Sequence, residues 1–167
     1  DGDLDVLSAS AFDDRISWYA NRGGQLALDS TDVAPETILD GGEAALLRAV
    51  ATHRGRDGDS PLELTAIQVL LEEAPGDPLT AAEADALLDG LRVYADDGSG
   101  AFEPGTDALV SSLDTLADGT QTLALAPDDP DARIGHGAPK TYFVTALLAA
   151  DASSRTPSGF LATLRTE

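Results

Sequence analysis

Leu91-Arg92-Val93-Tyr94-Ala95-Asp96-Asp97-Gly98-Ser99-Gly100-Ala101-Phe102-Glu103 is the stretch that decides how the chain is read. Leu91–Tyr94 alternates in the manner of a strand. Asp96–Gly100 then reads as a tight loop, because its glycines supply the positive φ that a sharp reversal needs. A strand that ends in an acidic, glycine-rich turn points to an antiparallel β protein.

The neighbouring segments extend the pattern. Upstream, Thr80-Ala81-Ala82-Glu83 is a capping box, in which the Thr80 hydroxyl and the Glu83 carboxylate each satisfy the other residue's backbone N–H. It predicts a short helix over 81–89, with Gly90 placed to end it. Further upstream, strands are expected at Ala44–His53 and Leu62–Leu71. Downstream they are expected at Ala108–Leu116, Thr120–Ala126, Ala132–Gly135, Lys140–Ala150 and Gly159–Arg165. Turns such as Pro127-Asp128-Asp129-Pro130 separate them. Seven or so strands in about 120 residues, with one inserted helix, predict a mainly β fold, an immunoglobulin-like β-sandwich over 44–167.

Residues 1–30 read as a smaller β segment, with strands at Leu4–Ala9, Arg15–Ala20 and Gln25–Leu28. The Asp-, Gly- and Pro-rich residues 31–43 read as a linker. A segment of this size cannot bury both faces of a sheet, so it must lean on a neighbouring domain or on another, identical subunit.

Composition limits the partners. The 167 residues carry 30 acidic against 10 basic side chains, a net charge of −20. Such a chain repels nucleic-acid phosphates and anionic membrane surfaces, and it suits a divalent cation or a saline medium. It has no Cys, which excludes disulfides and cysteine-based zinc sites. No apolar run is long enough to span a membrane.

Two stretches carry a family resemblance. Asp1-Gly2-Asp3-Leu4-Asp5-Val6-Leu7-Ser8-Ala9-Ser10 followed by Ile16-Ser17-Trp18-Tyr19-Ala20-Asn21 resembles the FG-GAP (VCBS-type) repeat of β-propellers and large secreted bacterial proteins. The likeness covers about the first 25 residues and implies a partial propeller-blade-like segment. In the family's calcium loop, Asp1 falls at the fifth position, Asp3 at the seventh, which offers its backbone carbonyl, and Asp5 at the ninth. The first two acidic ligands would precede residue 1, so the resemblance implies half of the site within this chain; an acidic Asp-x-Asp-Gly stretch upstream would complete it and make the chain a piece of a longer repeat protein. From about residue 44 onward, the quoted Leu91–Glu103 stretch, Lys140-Thr141-Tyr142-Phe143-Val144 and Ala149-Ala150-Asp151-Ala152-Ser153 are similar to an uncharacterised module. That module follows FG-GAP arrays in secreted proteins of environmental bacteria.

The remaining candidates rest on residue chemistry. Asp96, Asp97, Ser99, Glu103 and Asp107 crowd one loop, where carboxylates and carbonyls can take Ca2+; an ordinary hairpin turn would use the same residues. The metal-ligand set is thus Asp1, Asp3, Asp5, Asp96, Asp97, Glu103 and Asp107. His53 and His136 lack any H-E-x-x-H context and read as structural. No G-x-S-x-G elbow, phosphate-binding loop or dinucleotide fingerprint occurs. The chain is only 5% aromatic, which is poor material for a sugar-lined groove. Trp18 and Tyr19 read as blade core. The expected function is a non-enzymatic extracellular or cell-surface structural or adhesion module, stabilised by calcium. The alternatives are a filament subunit assembled by strand addition of the N-terminal arm, and a carbohydrate-binding module that meets an extracellular glycan or protein.

The assigned register orders two substitutions. Asp5→Ala should remove any N-terminal calcium binding, because it deletes a carboxylate ligand, whereas Asp3→Ala should matter less, because the backbone carbonyl survives. Isothermal titration of both variants checks the order, and equal losses would show the register to be wrong.

Overall fold

The structure, a computed structural model, describes residues 6–10, 15–19 and 26–165, with side chains from residue 26 onward. Its elements run β1 (Val6–Ser10), β2 (Arg15–Tyr19), β3 (Leu26–Asp32), β4 (Glu43–His53), β5 (Leu62–Glu63), β6 (Ala66–Ala74) and β7 (Asp77–Pro78). The helix α1 (Ala81–Leu87) follows, then β8 (Leu88–Ala95), β9 (Ala108–Leu113), β10 (Thr120–Ala124), β11 (Arg133–Ile134), β12 (Lys140–Leu148) and β13 (Leu161–Arg165). The chain is therefore mainly β.

Two sheets build the body. One is five-stranded in the order β3-β4-β12-β8-β9, and the other runs β10-β6-β13 with β7 paired to β6. All of these pairings are antiparallel. On β12, Tyr142 and Val144 point into the core, with Val144 opposite Leu47 on β4 and Val93 on β8. From the other sheet, Ile67, Val69 and Leu71 of β6 alternate with half-buried residues and join the same hydrophobic cluster. Two antiparallel sheets facing each other across one core is the arrangement of a β-sandwich. Each fully buried aliphatic side chain contributes about 1.5–3 kcal/mol.

The boundaries differ from expectation in places where non-local pairing decides. Leu26–Asp32 is one continuous strand paired with β4 from Leu26↔His53 to Asp32↔Leu47. It belongs to the large sheet, so the sheet begins at residue 26 rather than 44, and 31–32 are strand rather than linker. The expected strand Leu62–Leu71 divides at Leu64-Thr65. There the chain changes partners: β5 pairs with β11, while β6 pairs with β10 and β13.

The capping box is present. Thr80 Oγ1 accepts from Glu83 N–H at 3.3 Å, and Glu83 Oε2 accepts from Thr80 N–H at 2.9 Å. These bonds hold the Glu83 carboxyl below its ordinary pKa. The helix nevertheless stops at Leu87, and the buried Leu88 already starts β8. Gly90 is inside that strand, not at a helix end. A Cβ there would meet the Leu113 carbonyl oxygen at 2.9 Å, so glycine is what lets β9 come close. Two carboxylates tie α1 to the crossover between β9 and β10: Asp118 accepts from Ala81 N–H at 2.7 Å, and Asp85 from Leu116 N–H at 3.1 Å. The fully buried Gln121 fastens the same crossover, accepting from Ala117 N–H at 2.8 Å and donating to the Ala117 carbonyl at 2.6 Å.

β1 and β2 form a separate antiparallel hairpin, with Leu7 opposite Trp18. Asp1, Asp3 and Asp5 lie outside the described residues, as do the side chains of Trp18 and Tyr19.

Tyr142 yields a pH prediction. Its ring is fully buried, and its hydroxyl donates to the Asp131 carbonyl at 2.7 Å. Burial, reinforced by the charges of Asp131 and Asp129, pushes its pKa from 10.0 up to about 12. The folded state thus keeps a proton that the unfolded chain releases. The contribution is complete below about pH 10 and is lost as the pH rises through about 12. Tyr142→Phe should flatten the alkaline decline of stability and cost about 1 kcal/mol at neutral pH for the lost hydrogen bond. Urea titrations of both proteins across the alkaline range check this.

Candidate cation-binding loop

Between β8 and β9, residues 96–107 make an excursion rather than a tight hairpin turn. Carboxylates organise it from within. Asp96 accepts from Gly100 N–H at 3.0 Å, and Asp97 accepts from Ser99 N–H at 2.9 Å. Asp107 closes the excursion: one of its oxygens accepts from Asp97 N–H at 3.1 Å and the other from Glu103 N–H at 2.8 Å. Asp107 is only 7% exposed, which is unusual for a carboxylate and follows from its tying both arms of the loop together.

An aromatic contact seats the loop on the sheet. β12 is buried on both faces, and Phe143 points to the outer one, opposite Tyr94 of β8. Phe102 from the loop lies against both, with ring centroids 5.2 Å from Tyr94 and 5.9 Å from Phe143. Edge-to-face and tilted pairs at these distances contribute about 0.5–1.5 kcal/mol each beyond area burial. The polar side of the outer face is satisfied next to them. Glu43 accepts from the fully buried Thr145 hydroxyl at 2.7 Å and pairs with Arg92 at 3.1 Å. A hydrogen bond with Tyr94 and the charge of Glu43 raise the pKa of Arg92, and burial raises that of the Tyr94 phenol.

The consequence is a cluster of charge on a fixed platform. One carboxylate oxygen from each of Asp96, Asp97 and Asp107 lies within 4.8 Å of the other two. Ligands around Ca2+ sit at about 2.3–2.6 Å from the ion, so oxygens of one shell are at most about 5 Å apart. A carboxylate has about four lone-pair sites, so bonds to backbone N–H groups leave capacity for a cation. Glu103 is not part of this trio. Its side chain accepts from the Thr106 hydroxyl at 3.2 Å, and its contribution to the cluster is the backbone N–H given to Asp107. Ser99 Oγ donates to the Ala101 carbonyl at 3.0 Å and serves the turn itself.

His53 is buried, and its Nδ1 accepts from Gly55 N–H at 2.9 Å, which puts the proton on Nε2, 3.0 Å from the Ser60 carbonyl. Both ring nitrogens are engaged. His136 lies edge-on at 5.8 Å.

Comparison with protein-family models, with curated proteins and with solved structures finds no match to this chain.

Sequence reasoning found the acidic residues but not the burial of Asp107 or the role of Phe102. The available signal was a lone aromatic in a run of Gly, Ser and acidic residues. Two substitutions separate the parts. Asp107→Ala should cost about 1–3 kcal/mol, because two N–H groups lose their acceptor, and Asp107→Asn should cost less, because one acceptor oxygen remains. Phe102→Ala should raise amide hydrogen exchange across 96–107 while β4 and β12 stay protected. Exchange of those strands rising equally would show that the loop and the sheet are not separable.

Proposed function

We propose that the chain is a non-enzymatic structural or adhesion module of an extracellular protein, stiffened by calcium at Asp96, Asp97 and Asp107. In this reading the body is an immunoglobulin-like sandwich, and the N-terminal hairpin is the remnant of an FG-GAP-like blade. The observation that carries the proposal is the convergence of three carboxylates on a loop that Phe102 fastens to the central sheet.

The physical case is a balance of charge. A net charge of −20 works against the compact state, and the repulsion is sharpest where carboxylates crowd together. A divalent cation held by the trio removes that repulsion and crosslinks the start of the loop to its end. Sites of few carboxylates on extracellular modules bind in the range of about 10⁻⁴–10⁻³ M, which matches the calcium of extracellular media. Binding to the folded state alone then adds about 0.4–1.4 kcal/mol, for calcium at about one to ten times its dissociation constant. The cation would then act as a mechanical clasp, with no reacting group involved.

Melting curves in millimolar calcium and in excess EGTA test the reading. Calcium should raise Tm, magnesium should do so less, and both Asp97→Asn and Asp107→Asn should abolish the difference. Superimposable curves with and without calcium would refute the calcium part.

A further inference from the structure

The end of β4 carries a buried titratable group that the calcium reading does not use. Of the two histidines in the chain, His53 is buried and His136 is exposed. The connection from β4 to β5 is wrapped around the His53 ring. Nδ1 accepts from Gly55 N–H at 2.9 Å on one arm of this loop, and Nε2 donates to the Ser60 carbonyl at 3.0 Å on the other. Asp59 closes the same turn, its Oδ2 accepting from Arg56 N–H at 2.7 Å. A Cβ on Gly55 would stand 2.3 Å from His53 Cε1 and 2.5 Å from Asp59 Oδ2. Only glycine lets backbone, ring and carboxylate meet this closely.

The two ring bonds respond differently to a proton. A backbone N–H can only donate, so the Gly55 bond requires the lone pair of Nδ1. An imidazolium carries N–H on both nitrogens and has no acceptor. A second ring proton and the Gly55 bond therefore exclude each other, whereas Nε2 can donate to Ser60 in either state. The charges around the ring, among the described residues, are few. Asp59 of the loop stands beside it and supplies the negative charge that a protonated ring favours. Arg54, Arg56 and Asp57 of the loop are exposed. On β12, Lys140 is opposite Ala51, two residues before His53, and pairs with Asp131 at 3.2 Å. On β11, Arg133 is exposed and pairs with Asp128 at 2.6 Å. On β3, the residue opposite His53 is the uncharged Leu26. His136 meets the ring edge-on.

We propose that His53 is an acid-released latch on residues 54–60. The neutral ring holds both arms of the loop. A proton taken from solvent at Nδ1 sets N–H against N–H, so the Gly55 arm lets go and its amide turns to water, while Nε2 keeps the Ser60 arm. The opening is local, because β4 is held by β3 on one edge and β12 on the other along the residues before His53. The pH range is the one in which an imidazole changes charge, which makes the device responsive to mild acidification. It uses none of Asp96, Asp97 and Asp107, so it stands or falls apart from the calcium reading.

The test is an NMR titration of the full chain in EDTA. With two histidines there are two ring signals to assign. At about pH 8 the nitrogen shifts of His53 should show the proton on Nε2. Toward about pH 5, exchange of the Gly55 amide, corrected for its intrinsic rate, should rise about five- to tenfold with the same midpoint as the ring, the loss of one hydrogen bond. The amides of β4 and β12 should stay protected. His53→Asn should hold the Gly55 amide without a pH step, because an asparagine oxygen can accept from the N–H two residues on and takes up no proton in this range. Asp59→Asn should keep the step. A ring protonated on Nδ1 at neutral pH overturns the proposal, and so does a ring that titrates while the Gly55 amide is unmoved. So does a ring that stays neutral until the whole chain unfolds. These readings need no variant, so they decide even where His53→Asn does not fold. A step that survives in His53→Asn and vanishes in Asp59→Asn also overturns it, because the carboxylate would then be the latch.

Discussion

The constraint on which the rest depends is that β12 is buried on both faces. Tyr142, Phe143, Val144, Thr145 and Ala146 are each no more than 2% exposed. The inward residues create the need for a second sheet, which β6, β10 and β13 supply. The outward residues create a second need, because an antiparallel sheet that meets water on one face would not carry a buried phenylalanine there. Phe102 covers Phe143, and Glu43 accepts the proton of the Thr145 hydroxyl. The loop that carries the acidic trio is thus anchored by the outer face of the same strand whose inner face organises the core.

That coupling gives the loop its physical character. A surface turn rich in Gly, Ser and Asp would ordinarily be loose. Here one buried carboxylate, Asp107, collects two backbone N–H groups, and an aromatic contact pins the middle of the loop. The carboxylates are held close by the protein's own contacts, so a cation bound there would lose less ordering entropy than one on a loose turn.

The edges of the sheets are the complement of this closed centre. One side is sealed by a crossover fastened by Gln121, Asp85 and Asp118. On the other side β3 and β13 are the outermost strands of their sheets among the described residues, and natural β proteins blunt or cover such edges.

The sequence by itself determined what is local. The capping box at Thr80 and Glu83, the strand at Leu91–Tyr94, the strand expected at Lys140–Ala150 and found over Lys140–Leu148, and the acidic Asp96–Gly100 turn were legible, because each depends on neighbours a few residues apart. Only the tertiary structure decided what depends on distant partners. The assignment of Leu26–Asp32 to the large sheet rests on its ladder to β4, and the break at Leu64-Thr65 on a change of pairing partner. Gly90 reads as a helix stop until β9 is seen against it. Glu103 falls outside the trio and Asp107 at its centre because loop closure, not spacing along the chain, sets which oxygens converge. Backbone periodicity and capping are short-range forces that a linear pattern records, whereas strand pairing, close approach and burial are fixed only when remote segments meet.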